Sequence, residues 1–107
     1  MANKGKPFEL TIAHKLGGSR VYSQHEDMYD IITDWVIAEC KNRATMTYKE
    51  LEGWLNKVRW EAERVSLAEG KNYLPLLITK RRGGKGKPTE TIVMLRLEDF
   101  IEHFGRG

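Results

Sequence analysis

Five carboxylates, Glu26, Asp27, Asp30, Asp34 and Glu39, crowd a stretch whose other residues are aromatic, β-branched or apolar. Unpaired charge is expensive in strand sequence of this kind, so the acids need a chemical reason to be there. From Trp35 to Lys41, period 2 puts Trp35, Ile37, Glu39 and Lys41 on one face and Val36, Ala38 and Cys40 on the other. A turn centred on Thr33 and Asp34 pairs Ile32 with Trp35 and Asp30 with Ile37, making Asp30 a diagonal neighbour of Glu39 on the Lys41 face. Diagonal side chains stand roughly 7–8 Å apart at the backbone, a gap one divalent ion bridges. Hard oxygen ligands suit Mg²⁺ or Mn²⁺, which keep several waters and accept phosphate oxygens. Lys41 then orients or deprotonates the attacking water, or stabilises the charged transition state. The chemistry assembled is metal-dependent phosphodiester hydrolysis. Asp27 is the rival for the aspartate role, with a longer spacing to Glu39 and less strand-like flanks.

The elements that must position these groups follow from the hydrophobic pattern. Phe8, Ile12, Ala13 and Leu16 fall at helical spacing after Pro7, and Gly17 and Gly18 end that helix. Ser19 to Tyr22 reads as a brief strand, then Tyr29 to Thr33 and Trp35 to Lys41 as a hairpin. Thr47 with Glu50 forms a capping box for a long helix to about Glu69, with Leu51, Trp54, Leu55, Val58, Ala62 and Val65 on one face and Gly70 closing it. Leu74 to Lys80 and Glu90 to Arg96 read as strands, and Leu97 to Phe104 as a final helix.

A chain of 107 residues has room for one domain, and 40% hydrophobic with 31% charged residues is a globular composition. The net charge of +3 permits a polyanionic partner without requiring one. A single cysteine, Cys40, excludes an intramolecular disulfide and a cysteine-rich zinc site, and makes a reducing, intracellular setting the expectation. Apolar runs such as Trp35 to Ala38 are too short to span a bilayer, and the first residues lack a signal-peptide core. No Ser-His-Asp order, Walker A loop or dinucleotide fingerprint is present, and the three histidines lack ligand spacing.

Tyr29-Asp30-Ile31 followed by Ile37-Ala38-Glu39-Cys40-Lys41 resembles the PD-(D/E)xK nuclease signature, with tyrosine where proline is usual. The order of acidic helix, Gly17-Gly18-Ser19-Arg20, aspartate hairpin, Glu-x-Lys strand, long helix and strand pair is similar to that of archaeal and phage-encoded Holliday junction resolvases, from Phe8 to Phe104. The resemblance implies a single restriction-endonuclease-like α/β domain over residues 1–107, with a mixed central sheet flanked by helices. It also implies Glu9, Asp30 and Glu39 as metal ligands, Lys41 as catalytic base or stabiliser, and Ser19 and Arg20 as phosphate contacts near the site. The implied substrate is branched DNA, above all four-way junctions, in the cytoplasm of a prokaryote or phage-infected cell. Related nucleases acting on flaps or single strands, and a non-catalytic nucleic-acid-binding module, are the competing readings.

The run Lys80-Arg81-Arg82-Gly83-Gly84-Lys85-Gly86-Lys87 carries five bases and no acid, which suits a loop gripping DNA phosphates or a plain solvated hairpin tip. Lys57, on the flank of the long helix, is a further candidate for reaching the site or the DNA. Gly53, Trp60 and Leu67 recur on the side of that helix opposite Val58 and Ala62. Two symmetric cuts in a junction favour a two-fold homodimer, to which Trp60 and Leu67 are the expected contributors, with burial of Trp60 within the chain as the competing reading.

Overall fold

The computed structural model describes residues 5–20, 29–83 and 90–105, without the side chains of residues 5, 6, 19 and 20. Tyr22, Asp27, Lys85 and Lys87 therefore lie outside the described residues. The order is α1 (Gly5–Leu16), β1 (Ser19–Arg20), β2 (Ile31–Ile32), β3 (Val36–Arg43), α2 (Tyr48–Glu69), β4 (Leu74–Arg81), β5 (Thr91–Met94) and α3 (Leu97–Phe104). The strands form one mixed sheet in the order β1-β2-β3-β4-β5. β3 and β4 are parallel and the other neighbours antiparallel. A parallel pair needs a crossover, and α2 supplies it.

Both faces of the first part of β3 are covered, which is why Val36, Ile37 and Ala38 are apolar in succession and Cys40 follows them. Val36, Ala38 and Cys40 pack with Phe8, Ile12 and Ala13 of α1, whereas Ile37 packs with Val58, Ala62 and Val65 of α2. The expected face of α2 is thus buried over its second half, while Leu51, Trp54 and Leu55 are half-buried. The capping box forms as the sequence predicts, with the Glu50 amide donating to Thr47 Oγ1 at 3.1 Å and the Thr47 amide to Glu50 Oε1 at 2.9 Å. Gly70 ends the helix in the left-handed region.

At the end of α1 the two glycines do different work. Gly17 takes φ +72°, a conformation that lets the chain leave the helix. At Gly18 the chain runs so close to β2 that a Cβ would sit 2.4 Å from the Ile32 carbonyl oxygen.

The hairpin differs from the expected register. Ile32 pairs with Ile37 and Ile31 with Ala38, and the Thr33 amide donates to the Val36 carbonyl at 2.9 Å. The reversal is therefore at Asp34 and Trp35, two residues from the expected pairing of Asp30 with Ile37. The cause is Thr33, whose Oγ1 accepts from the amides of Trp35 and Val36 at 3.1 and 2.9 Å and fixes the turn. Trp35 is consequently a half-exposed turn residue and not the strand partner of Ile32. The slip is an even number of residues, so each side chain keeps its face.

Candidate active site

Glu39 lies in the middle of β3 and is 3% exposed. Its Oε1 accepts a hydrogen bond from Lys57 Nζ of α2 at 3.1 Å and forms an ion pair with Lys41 Nζ of the same strand at 3.3 Å. Its Oε2 is buried with no hydrogen-bond partner among the described residues. A buried carboxylate oxygen with no donor is costly, and it is a free ligand position for a cation.

Lys41 and Lys57 are held by a ladder between strand and helix. Along β3, Glu39, Lys41 and Arg43 project at period 2; along α2, Glu50, Trp54 and Lys57 project at close to two helical turns. Arg43 pairs with Glu50 at 3.1 Å, and Arg43 and Lys41 lie 4.9 and 5.1 Å from the centre of the Trp54 ring. Lys57 then meets Glu39 at the far end. The aromatic face attracts both cations and fixes where the Lys41 ammonium can lie. Neither Trp54 nor Arg43 is marked by the sequence pattern as part of a site. Their only signal is the matching of the two periodicities, which becomes visible once α2 is known to run back over β3.

Asp30 is just outside β2 and reaches β3 through its side chain. Its amide donates to the Ala38 carbonyl at 2.9 Å, and its Oδ2 accepts from the Cys40 amide at 2.7 Å. Burial raises its pKa to about 6, the Cys40 amide opposes that rise, and the charges of Glu9 and Glu39 add to it. Glu9, half-buried on α1, thus contributes to the same negative field. Burial also pushes the Cys40 thiol far up, with the neighbouring carboxylates adding to the effect, so this cysteine is a packing residue and not a nucleophile.

Among the described residues, no group of three His, Cys, Asp or Glu side chains converges at metal-binding range. Glu9, Asp30 and Glu39 therefore do not make a closed three-ligand cage. The donor set nonetheless fits a hard divalent ion held by one or two carboxylates and several waters, with the unpartnered Oε2 of Glu39 as the position such an ion would take.

The basic residues continue from the same end of the sheet. Lys41, Asn42 and Arg43 are the register partners of Thr79, Lys80 and Arg81, so Arg81 shares a face with Arg43. Lys80 lies against the Phe8 ring on the α1 side, at 5.9 Å from its centre. Arg82 is exposed, its amide donating to the Arg43 carbonyl. Ser19 and Arg20 form β1, whose backbone pairs with Ile32 and Ile31 of the hairpin that carries Asp30. Trp60 and Leu67 are exposed, at 59% and 86%, on the outer side of α2.

Glu61 is a buried acid that the periodicity does not distinguish from its exposed neighbours. It is fully buried on α2, with Oε2 held by Arg64 at 2.7 Å and Oε1 without a hydrogen-bond partner among the described residues. The spacing of Glu61 and Arg64 is the only sequence sign of the pairing. No helix among the described residues is long and apolar enough to cross a membrane. The chain matches no family model, no curated protein and no solved structure with which it was compared.

Proposed function

We propose that this chain is a metal-dependent, structure-selective DNA endonuclease of the Holliday junction resolvase kind, on a restriction-endonuclease-like version of its α/β domain. The observation that carries the reading is the Glu39 carboxylate, buried beside Asp30 with one oxygen shared by Lys41 and Lys57 and the other without a hydrogen-bond partner among the described residues. The element order, with an aspartate hairpin feeding β3 and a helical crossover to a parallel β4, supports it. So does the Glu-x-Lys spacing of Glu39 and Lys41 on one face of a strand.

Asp30 and Glu39, with Glu9 at the margin, are the residues that would hold Mg²⁺ or Mn²⁺. Such an ion supplies a more acidic water and positive charge against a bridging phosphate. The remaining work belongs to the chain itself. The ammonium of Lys41, steered by Glu39 and the Trp54 face, donates toward a phosphate oxygen or the attacking water. Lys57 balances the Glu39 charge from the helix side and brings a second cation toward the same phosphate. Arg43, Lys80, Arg81 and Arg82 lie beyond Lys41 at the strand ends, where cations hold a backbone without reading its sequence.

The test is a substrate panel: labelled four-way junction, flap, linear duplex and single strand, each with and without Mg²⁺. The expected result is Mg²⁺-dependent cutting of the four-way junction well above the others. Preferential cutting of flaps or single strands would move the reading to a replication or repair nuclease. Junction binding without cleavage in any divalent ion would leave a nucleic-acid-binding module.

A further inference from the structure

Helix α3 is mounted with its polar side toward the protein. Its buried residue is Asp99, which lies 3.5 Å from Arg59 of α2, and Glu98 pairs with the same arginine at 2.8 Å. His103 Nε2 is 3.3 Å from the Asn72 carbonyl oxygen. The opposite side carries Leu97, Phe100, Ile101 and Phe104, which are 73%, 47%, 45% and 48% exposed. These four recur at helical spacing and form one stripe. The stripe extends onto the hairpin turn, where Trp35 meets Phe104 edge-on at 6.3 Å, and Phe100 lies against Phe104 at 5.3 Å with the rings tilted. An amphipathic helix held down by ion pairs, with its apolar side outward, has the faces of an interface helix and not of a monomer's surface helix.

We propose that this stripe is where two copies of the chain associate, about a two-fold axis crossing the middle of α3. Its area points to a second copy as the occupant. Aromatic side chains bury about 150–250 Å², so the half-exposed Trp35, Phe100 and Phe104 each leave roughly 100 Å² open. With Leu97 and Ile101 the stripe offers roughly 450–500 Å² of apolar surface. A homodimer interface of standard size needs about 800 Å² per partner, of which about 65%, or roughly 520 Å², is apolar. The stripe therefore matches one half of such an interface. Its two ends also complement each other. Trp35 and Phe104 crowd one end, whereas Leu97, the most exposed of the five, is at the other. Antiparallel packing of two α3 helices lays the aliphatic end of each copy on the aromatic end of its mate, as an isologous contact requires. Trp60 and Leu67 are outside this surface.

Sedimentation velocity on the full chain over a micromolar concentration series tests the proposal without DNA or metal, independently of any nuclease activity. The wild type is expected to run as a dimer. The double variant Phe100→Ser/Phe104→Ser should run as a monomer with an unchanged far-ultraviolet spectrum, since both rings are half-exposed, and Trp60→Ala should stay dimeric. Ile101→Cys, near the proposed axis, should cross-link between copies on mild oxidation, Cys40 being buried. A wild type that is monomeric throughout, a Phe100→Ser/Phe104→Ser protein that remains dimeric, or dissociation by Trp60→Ala would each overturn it. So would the absence of an Ile101→Cys cross-link in a dimeric protein.

Discussion

Lys57 Nζ and Glu39 Oε1 meet at 3.1 Å between helix and strand, and Lys41 approaches the same oxygen at 3.3 Å. The two lysines are not equivalent. Lys41 shares the strand face with Glu39 and lies by the Trp54 ring, whereas Lys57 arrives from the helix and is 42% exposed. The proposed reaction assigns them different weights. Lys41→Ala should lower the single-turnover cleavage rate by about 10²–10⁴-fold, the usual size of a lost acid, base or charge stabiliser. Lys57→Met should cost about tenfold or less in rate, and about 1 kcal/mol in stability, because the lysine end of the pair is open to water and Lys41 still faces the buried Glu39 carboxylate. Rate constants and urea midpoints for the two variants check this, and equal rate losses would contradict it.

Asp30 makes a pH prediction. Burial raises its pKa from an ordinary 3.8 to about 6, so the folded protein holds the proton more tightly than the unfolded chain does. Stability is therefore highest below the unfolded value and falls as pH rises through about 6, by on the order of 2–3 kcal/mol for this group. Asp30→Asn retains an oxygen for the Cys40 amide but removes the ionisation. It should melt higher than wild type at neutral pH, with the gap closing by about pH 4. A gap that does not change with pH would show that Asp30 ionisation is not its source.

Gly18 has a packing reason to be glycine, since a Cβ there meets the Ile32 carbonyl oxygen at 2.4 Å. Gly18→Ala must push β2 away from α1, an overpacking cost of about 1–3 kcal/mol or more. Gly17→Ala, with open space but φ +72°, meets no such clash and should cost about 1 kcal/mol from backbone strain alone. Thermal melts rank the two, and Gly18→Ala is expected to be the worse.

Cys40 should be chemically silent. It is buried against α1, and its thiol is pushed up by burial and by Asp30, Glu9 and Glu39. A thiol reagent is expected to label it only as fast as the protein opens, with the rate rising through the denaturant transition. Rapid stoichiometric labelling of the native protein would place the thiol at the surface.

Neutralising Lys80, Arg81 and Arg82 together with glutamine should weaken binding to junctions of any sequence alike. It should also reduce the slope of log affinity against log salt by about 2–3, close to one for each phosphate that no longer has a cation beside it. Filter binding between low and moderate salt measures both quantities. A salt-independent weakening, or weakening on one sequence only, would remove these residues from the backbone grip.

Much of this architecture is local and therefore legible in the sequence. The Thr47 and Glu50 box, the run to Val65 and the Gly70 stop define α2 because each depends on neighbours within a few residues. The buried setting of Cys40 and the shared face of Glu39 and Lys41 follow from strand alternation, which survived a hairpin slip of two residues. The slip itself came from Thr33, whose hydroxyl competes for the turn amides in a way that residue classes do not reveal. The Trp54 ladder and the inverted seating of α3 are tertiary facts. The former needs α2 to lie antiparallel over β3, and the latter is set by Arg59 pairing with Glu98 and Asp99 from another helix. Glu61 is similar, a burial decided by where α2 docks and not by the residue's own preference.

Whether Glu39, Lys41 and Asp30 form one hydrolytic site is decided by single-turnover cleavage of a labelled four-way junction in Mg²⁺, comparing wild type with Glu39→Gln and Asp30→Asn at matched junction occupancy. The expected result is Mg²⁺-dependent cutting by the wild type, and no cutting by either variant although both still fold and bind the junction. Cutting by either variant at the wild-type rate would contradict the proposed site.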